Sequence, residues 1–146
     1  MEHHGVLVMA VLGADGAAVW SHTLGLTKLG LPELIVTGAR DPEAAEALLG
    51  SLARDLQKPH GSATPVPRAG AVLSSCGGDE AQLVSVQTLM PHLVMAVEIF
   101  GPSVRALQLV LADEYGCWPW DLGYRGEHQP LLGLPATPGR GAPSGP

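Results

Sequence analysis

Cysteine, aromatic residues and charge are all scarce in this 146-residue chain: there are two cysteines, Cys76 and Cys117, 4% aromatics and 15% charged side chains. Two cysteines and no export signal predict reduced thiols in the cytoplasm and leave no disulfide framework to build on. The first basic side chain is Lys28, so the N-terminus reads as neither a signal peptide nor a transit peptide. The longest apolar run, Val6 to Leu12, falls far short of the roughly 20 residues that cross a bilayer. No membrane partner is expected. The eight basic residues are scattered singly and the formal net charge is −6. Neutralising a phosphate backbone takes a concentrated basic face, so nucleic acid is not an expected partner either. Motifs are missing too. There is no His-x-His, His-x-x-x-His or Cys-x-x-Cys spacing, no Gly-x-Gly-x-x-Gly and no P-loop, so neither a metal nor a nucleotide cofactor is predicted. A metal would have to be assembled from distant residues such as His4, His22 and His92.

Hydrophobic residues make up 46% of the chain. A chain of this length folds as one domain that removes roughly 68 to 70% of its unfolded surface from water, and the lean surface charge leaves room for a homodimer interface. The reading is one globular domain over residues 1–133, followed by a proline- and glycine-rich tail, 134–146, with too little to bury to become ordered.

Strands are predicted at Val6 to Val11 and Ala17 to Thr23, joined by the turn Ala14-Asp15-Gly16, and at Glu33 to Thr37, ending at Gly38. Asp41-Pro42 starts a helix whose Ala45, Leu48, Leu49, Leu52 and Leu56 recur at helical spacing, until Pro59 and Gly61 end it. After a loop over Lys58 to Gly70, strands at Ala71 to Ser75 and Gln82 to Leu89 flank Cys76-Gly77-Gly78-Asp79. A short helix runs from Pro91 to Phe100, and a last strand from Val104 to Leu111. Six strands with two helices, mostly hairpin-linked, give an α+β fold with a mostly antiparallel sheet or a half-open barrel.

Two islands carry polar and aromatic side chains where a plain core strand would not, Trp20 to Gly38 and Ala106 to Asp121. Trp20 and His22 share one face of their strand, and histidine titrates near neutrality, which suits it to general acid or base work. Glu33, between Pro32 and an apolar strand, is the acid that could orient it. Asp121 is the alternative, unless it caps a turn. Gln108, flanked by Leu107 and Leu109, must bond something, either a neighbouring backbone or a ligand. In Trp118-Pro119-Trp120 the proline stiffens an extended segment so that both indoles project to one side, as a pocket wall or as a lid on the core. Tyr124, His128 and Gln129 follow in an ordered loop, with Tyr124 and Gln129 as candidate substrate contacts, and His4 could reach the site from before the first strand. Cys76 lies in a hairpin-like stretch without a paired histidine, which argues against a cysteine nucleophile.

Several of these positions belong to longer stretches: His3-His4-Gly5, Trp20-Ser21-His22-Thr23-Leu24-Gly25-Leu26, Leu31-Pro32-Glu33-Leu34, Leu107-Gln108-Leu109-Val110, Pro119-Trp120-Asp121 and Gln129-Pro130-Leu131-Leu132-Gly133. In these the chain resembles the bacterial domain-of-unknown-function family 4262 over residues 3 to 133. The resemblance implies a stand-alone intracellular domain and specifies no reaction. Two positions depart from the family pattern: His22 stands where tyrosine is usual, and Leu31 where histidine is usual. A histidine displaced in this way would suit a specialised activity such as a tailoring step in biosynthesis.

The functional expectation is therefore a small cofactor-independent enzyme that rearranges, cyclises or hydrolyses a small organic substrate. His22 would move the proton, with Glu33 or Asp121 as its partner. His4, Trp20, Gln108, Trp118, Trp120, Tyr124 and Gln129 would surround the substrate. A non-catalytic ligand- or protein-binding module is the first alternative, and a metal-binding domain the second.

Overall fold

Apolar segments punctuated by glycine and proline become seven strands and two α-helices in a computed structural model: β1 (Glu2–His3), β2 (Val6–Leu12), β3 (Ala18–Leu24), β4 (Glu33–Arg40), α1 (Pro42–Leu56), β5 (Val72–Cys76), β6 (Asp79–Ser85), α2 (Val94–Phe100) and β7 (Ala106–Leu111). The structure describes residues 2–3, 6–13, 18–40, 42–57, 69–76, 79–87, 89, 92–113, 115–126 and 128–133. The expected Ala14-Asp15-Gly16 turn, most of the 58–70 loop, His4, Cys76's side chain and the 134–146 tail lie outside what is described.

All strands join one sheet in the order β1-β2-β3-β4-β7-β6-β5. Every pairing is antiparallel except β4 with β7, which is parallel. A parallel neighbour needs a crossover, and here the chain between them supplies α1, the β5–β6 hairpin and α2. The fold is α+β and the sheet is not closed: β1 and β5 are its edges.

Side chains alternate across the sheet, and each face has its own cluster. On one face Ala45, Leu49 and Ala53, one stripe of α1, are fully buried. Leu49 and Ala53 pack with Val8, Leu34, Val36, Leu83 and Leu109. On the other face Leu93 and Ala96, at α2, meet Leu24, Val104 and Ala106, with Met9, Val86, Leu89 and Phe100 at the margin. Trp20 and His22 point to the α2 face, because His22 is paired with Met9 and Ile35. Ser21 and Thr23 point to the α1 face, paired with Val36 and Val8.

Some element bounds differ from the sequence reading. β4 does not stop at Gly38 but continues to Arg40, where it still pairs with Ala18. Gly38 carries a φ of 98°, a left-handed value that glycine alone adopts at little cost. β6 begins at Asp79, because Cys76 and Asp79 pair directly across Gly77-Gly78, and it ends at Ser85. Beyond that, Val86 donates its N–H to Ala106 and Gln87 donates to Leu132. α2 begins only at Val94, after a turn in which Leu93 N bonds the Leu89 carbonyl.

Candidate functional site

Glu33 opens β4 with a fully buried carboxylate, and its position decides what it can do. The chain between β3 and β4 turns through a short 3-10 helix, Leu26–Leu29, whose first N–H groups have no partner of their own. Glu33 supplies one. Its Oε1 accepts from Thr23 Oγ1 at 2.8 Å and Leu26 N at 3.2 Å. Its Oε2 accepts from Gly25 N at 3.1 Å, Thr27 N at 2.9 Å and Thr27 Oγ1 at 2.6 Å. Thr23 Oγ1 in turn accepts from Leu34 N at 2.9 Å. A carboxylate offers about four lone-pair sites, so five donors occupy it fully. It is the anchor of the β3–β4 connection, and none of its bonds goes to His22.

His22 is buried and its Nδ1 lies 2.9 Å from the Thr23 carbonyl oxygen. A carbonyl oxygen only accepts, so that contact places a proton on Nδ1. A second histidine, His92, lies in the turn before α2, near enough to feel the charge of His22. Trp20 ties that turn to β3: its Nε1 donates to the His92 carbonyl at 3.1 Å, and the two rings lie 4.5 Å apart at 59°. His92 Nδ1 is buried and has no hydrogen-bond partner among the described residues. Burial, and next the charge of the neighbouring His22, hold the His92 pKa below its ordinary 6.5. The result is a neutral imidazole with an unengaged nitrogen, beside an indole and a second imidazole.

The glutamines serve the chain end. β4 and β7 are paired only from Glu33↔Ala106 to Ile35↔Gln108. Gln108 Nε2 donates to Thr37 Oγ1 at 2.8 Å and to the Pro130 carbonyl at 2.7 Å, and its Oε1 accepts from Leu132 N at 2.9 Å. The Thr37 hydroxyl also donates to Pro130 O at 2.7 Å. Further along β7, Gln129 offers its amide as a substitute strand. Oε1 accepts from Leu111 N and Nε2 donates to Leu111 O, both at 2.8 Å. Gln129 Nε2 also donates to the Tyr124 hydroxyl at 2.8 Å. Segment 128–133 is thus strapped across the α2 face of the sheet, from Gly38 to Gln87.

The second island folds into consecutive turns. Trp118 and Trp120 stack, with ring centroids 5.7 Å apart and planes 12° from parallel. Trp118 is buried, and the buried Nε1 of Trp120 has no hydrogen-bond partner among the described residues. Asp121 Oδ2 accepts from Trp118 N at 2.8 Å, closing the turn that holds both indoles. Asp113 does the same on a larger loop: its carboxylate accepts from the N–H groups of Tyr115, Cys117 and Arg125. Desolvation pushes the Asp113 pKa up, but the bonds from Arg125, Cys117 and Tyr115 and the Arg125 charge outweigh it, and the carboxyl sits below its ordinary 3.8. Cys117 is a free thiol.

The structure therefore gathers Trp20, His22 and His92 on the α2 face, and separately joins Gln108, Gln129 and Tyr124 through the strap. Glu33 belongs to the turn after β3. His4 lies outside the described residues. His92 was named in the sequence only as a distant metal ligand. The signal that could have raised it was its place just after Pro91, at the start of an apolar helix. Among the described residues no group of three or more histidine, cysteine, aspartate or glutamate side chains could hold a metal ion, and no helix is long and apolar enough to cross a membrane.

An open, mostly antiparallel sheet, with a helix on each face and a strap of chain held by side-chain amides, defines a small α+β domain. The chain belongs to the family described as Domain of unknown function (DUF4262), whose model matches residues 1–125. Comparisons with curated proteins and with solved structures gave no match.

Proposed function

We propose that this domain is a small cofactor-independent enzyme that rearranges, cyclises or hydrolyses a small organic substrate by general acid/base catalysis. Its proton carriers are His22 and His92, and it acts as a tailoring step in a cytoplasmic biosynthetic pathway. The observation that carries this reading is His92, its ring against Trp20, its Nδ1 without a hydrogen-bond partner among the described residues and the imidazole of His22 near enough to shift its pKa. A general base must be unprotonated and have a nitrogen that no internal bond occupies. Trp20 forms an apolar wall against the His92 ring, and the stacked Trp118 and Trp120 belong to a separate turn. Glu33 anchors the turn that follows the His22 strand, and Asp121 the turn that holds the indole pair.

The test incubates purified protein with a mixture of cellular small molecules and follows the appearance of isomers or hydrolysis products by mass spectrometry. The wild-type protein should form product. His92→Gln should lower the rate by about 10²- to 10⁴-fold, the usual contribution of a positioned acid or base. A His92→Gln protein that forms the product at the wild-type rate would refute the assignment. A non-catalytic ligand-binding module is the second reading, favoured by the internal saturation of Glu33, Gln108 and Gln129. Ligand retained without conversion would select it.

A further inference from the structure

A pocket of about 370 Å³ opens where β6 ends and β7 begins, lined by Ser85, Gln87, Leu89, Val104, Arg105 and Ala106 among others. It contains none of Trp20, His22, His92 or the indole pair. Its volume falls at the small end of the range of roughly 300 to 1,000 Å³ typical of small-molecule sites. Leu89, Val104 and Ala106 come from the α2-face cluster and give the pocket an apolar floor. Ser85, Gln87 and Arg105 are exposed and stand around it as polar groups. Among the described residues its lining includes no acidic side chain.

Arg105 is the informative member. Its Nη2 donates to the Gly30 carbonyl at 3.0 Å, which ties the guanidinium to the turn before β4. Its own carbonyl accepts from Glu33 N at 2.9 Å, fixing the backbone from which it projects. Guanidinium has five N–H donors in a rigid fork, so one bond to Gly30 steadies the group and leaves donors for a ligand. A cation held this way at a pocket that joins apolar side chains to polar groups suits a molecule with a carboxylate at one end and a hydrocarbon body at the other.

We infer that this pocket is a binding site for a small organic carboxylate, whose anionic end pairs with Arg105 and whose apolar body rests on Leu89, Val104 and Ala106. The site stands apart from the imidazole pair and does not depend on its role.

The test follows the backbone amide signals of Val86, Leu89 and Ala106 by NMR while the full chain is titrated to millimolar concentrations of benzoate or hexanoate. Benzyl alcohol, hexanol and inorganic phosphate serve as probes that lack one half of the recognition. The carboxylates should shift these amides in a saturable way, and the alcohols and phosphate should not. Arg105→Gln, at an exposed position the fold tolerates, should weaken carboxylate binding about tenfold, the loss expected for a hydrogen bond to a charged group. Arg105→Lys should keep part of it. His92→Gln should leave it unchanged, so that failure of the catalytic reading and failure of this one are told apart. Equal binding of the alcohols, equal binding of phosphate, undiminished binding by Arg105→Gln, or no shift at all would each overturn the assignment.

Discussion

A single carboxylate decides much of the geometry around β3 and β4. Glu33 takes five donors, three of them backbone N–H groups of a turn that has no other cap. Glutamine has nearly the same shape but one of its two terminal atoms donates, so it cannot accept from this set. Glu33→Gln is expected to destabilise the fold by on the order of 3 kcal/mol, read as a drop in the urea midpoint, because buried donors left without acceptors cost about 1 to 3 kcal/mol each. A midpoint equal to that of the wild type would show that the turn does not need its anchor. The sequence pointed to Glu33 as an unusual acid, and that singularity is real. Its use was not legible, because whether an acid meets the ring of His22 or the amides of Gly25 to Thr27 depends on which way one strand-end side chain leans.

At the scale of elements, the strap and β4 explain one another. Where β4 and β7 part after Ile35 and Gln108, Gln129 takes the place of a missing strand against Leu111. The strap must then pass close to β4, and it does so at Gly38. A Cβ there would lie 2.7 Å from the His128 carbonyl oxygen, and the backbone has a φ of 98°. Both facts oppose a side chain. Gly38→Ala is expected to cost about 1 to 3 kcal/mol, for strain at a left-handed position plus a backbone clash, and to lower the thermal midpoint. An unchanged midpoint would mean that the strap is not seated on β4. The helices and most strands were legible from periodicity: α1 runs from Pro42 with Ala45 and Leu49 inward, as their spacing demands. The extension of β4 past Gly38 was hidden, because a glycine in a strand pattern reads as a stop unless a close neighbour is known. The neighbour here is a carbonyl ninety residues on.

Across the whole molecule, the two islands that stand out in the sequence turn out to serve different ends. Trp20 and His22 face α2, where Trp20 meets His92, while Gln108 and Asp121 hold the strap and a turn. Sequence spacing could assign faces within β3 and within β7, but it could not show that His92, seventy residues beyond His22, lies against the same face. Nor could it show that Arg105 stands at a hollow, since the pocket is formed only when β6 and β7 meet. Sheet class and the polar interruptions of apolar strands were therefore readable, and the convergence of distant segments was not.

The His22–His92 relation can be measured directly by following the imidazole carbon-bound protons of His92 by NMR from pH 8 to pH 4. The account predicts a pKa below 6.5, with protonation opposing the fold. The stability penalty sets in as the pH falls below 6.5 and is complete below the lowered value. In His22→Gln the neighbouring charge is gone while the burial remains, so the His92 pKa should rise part of the way toward 6.5. A His92 that titrates at or above 6.5, with the same value in His22→Gln, would contradict the pairing on which the proposed chemistry depends.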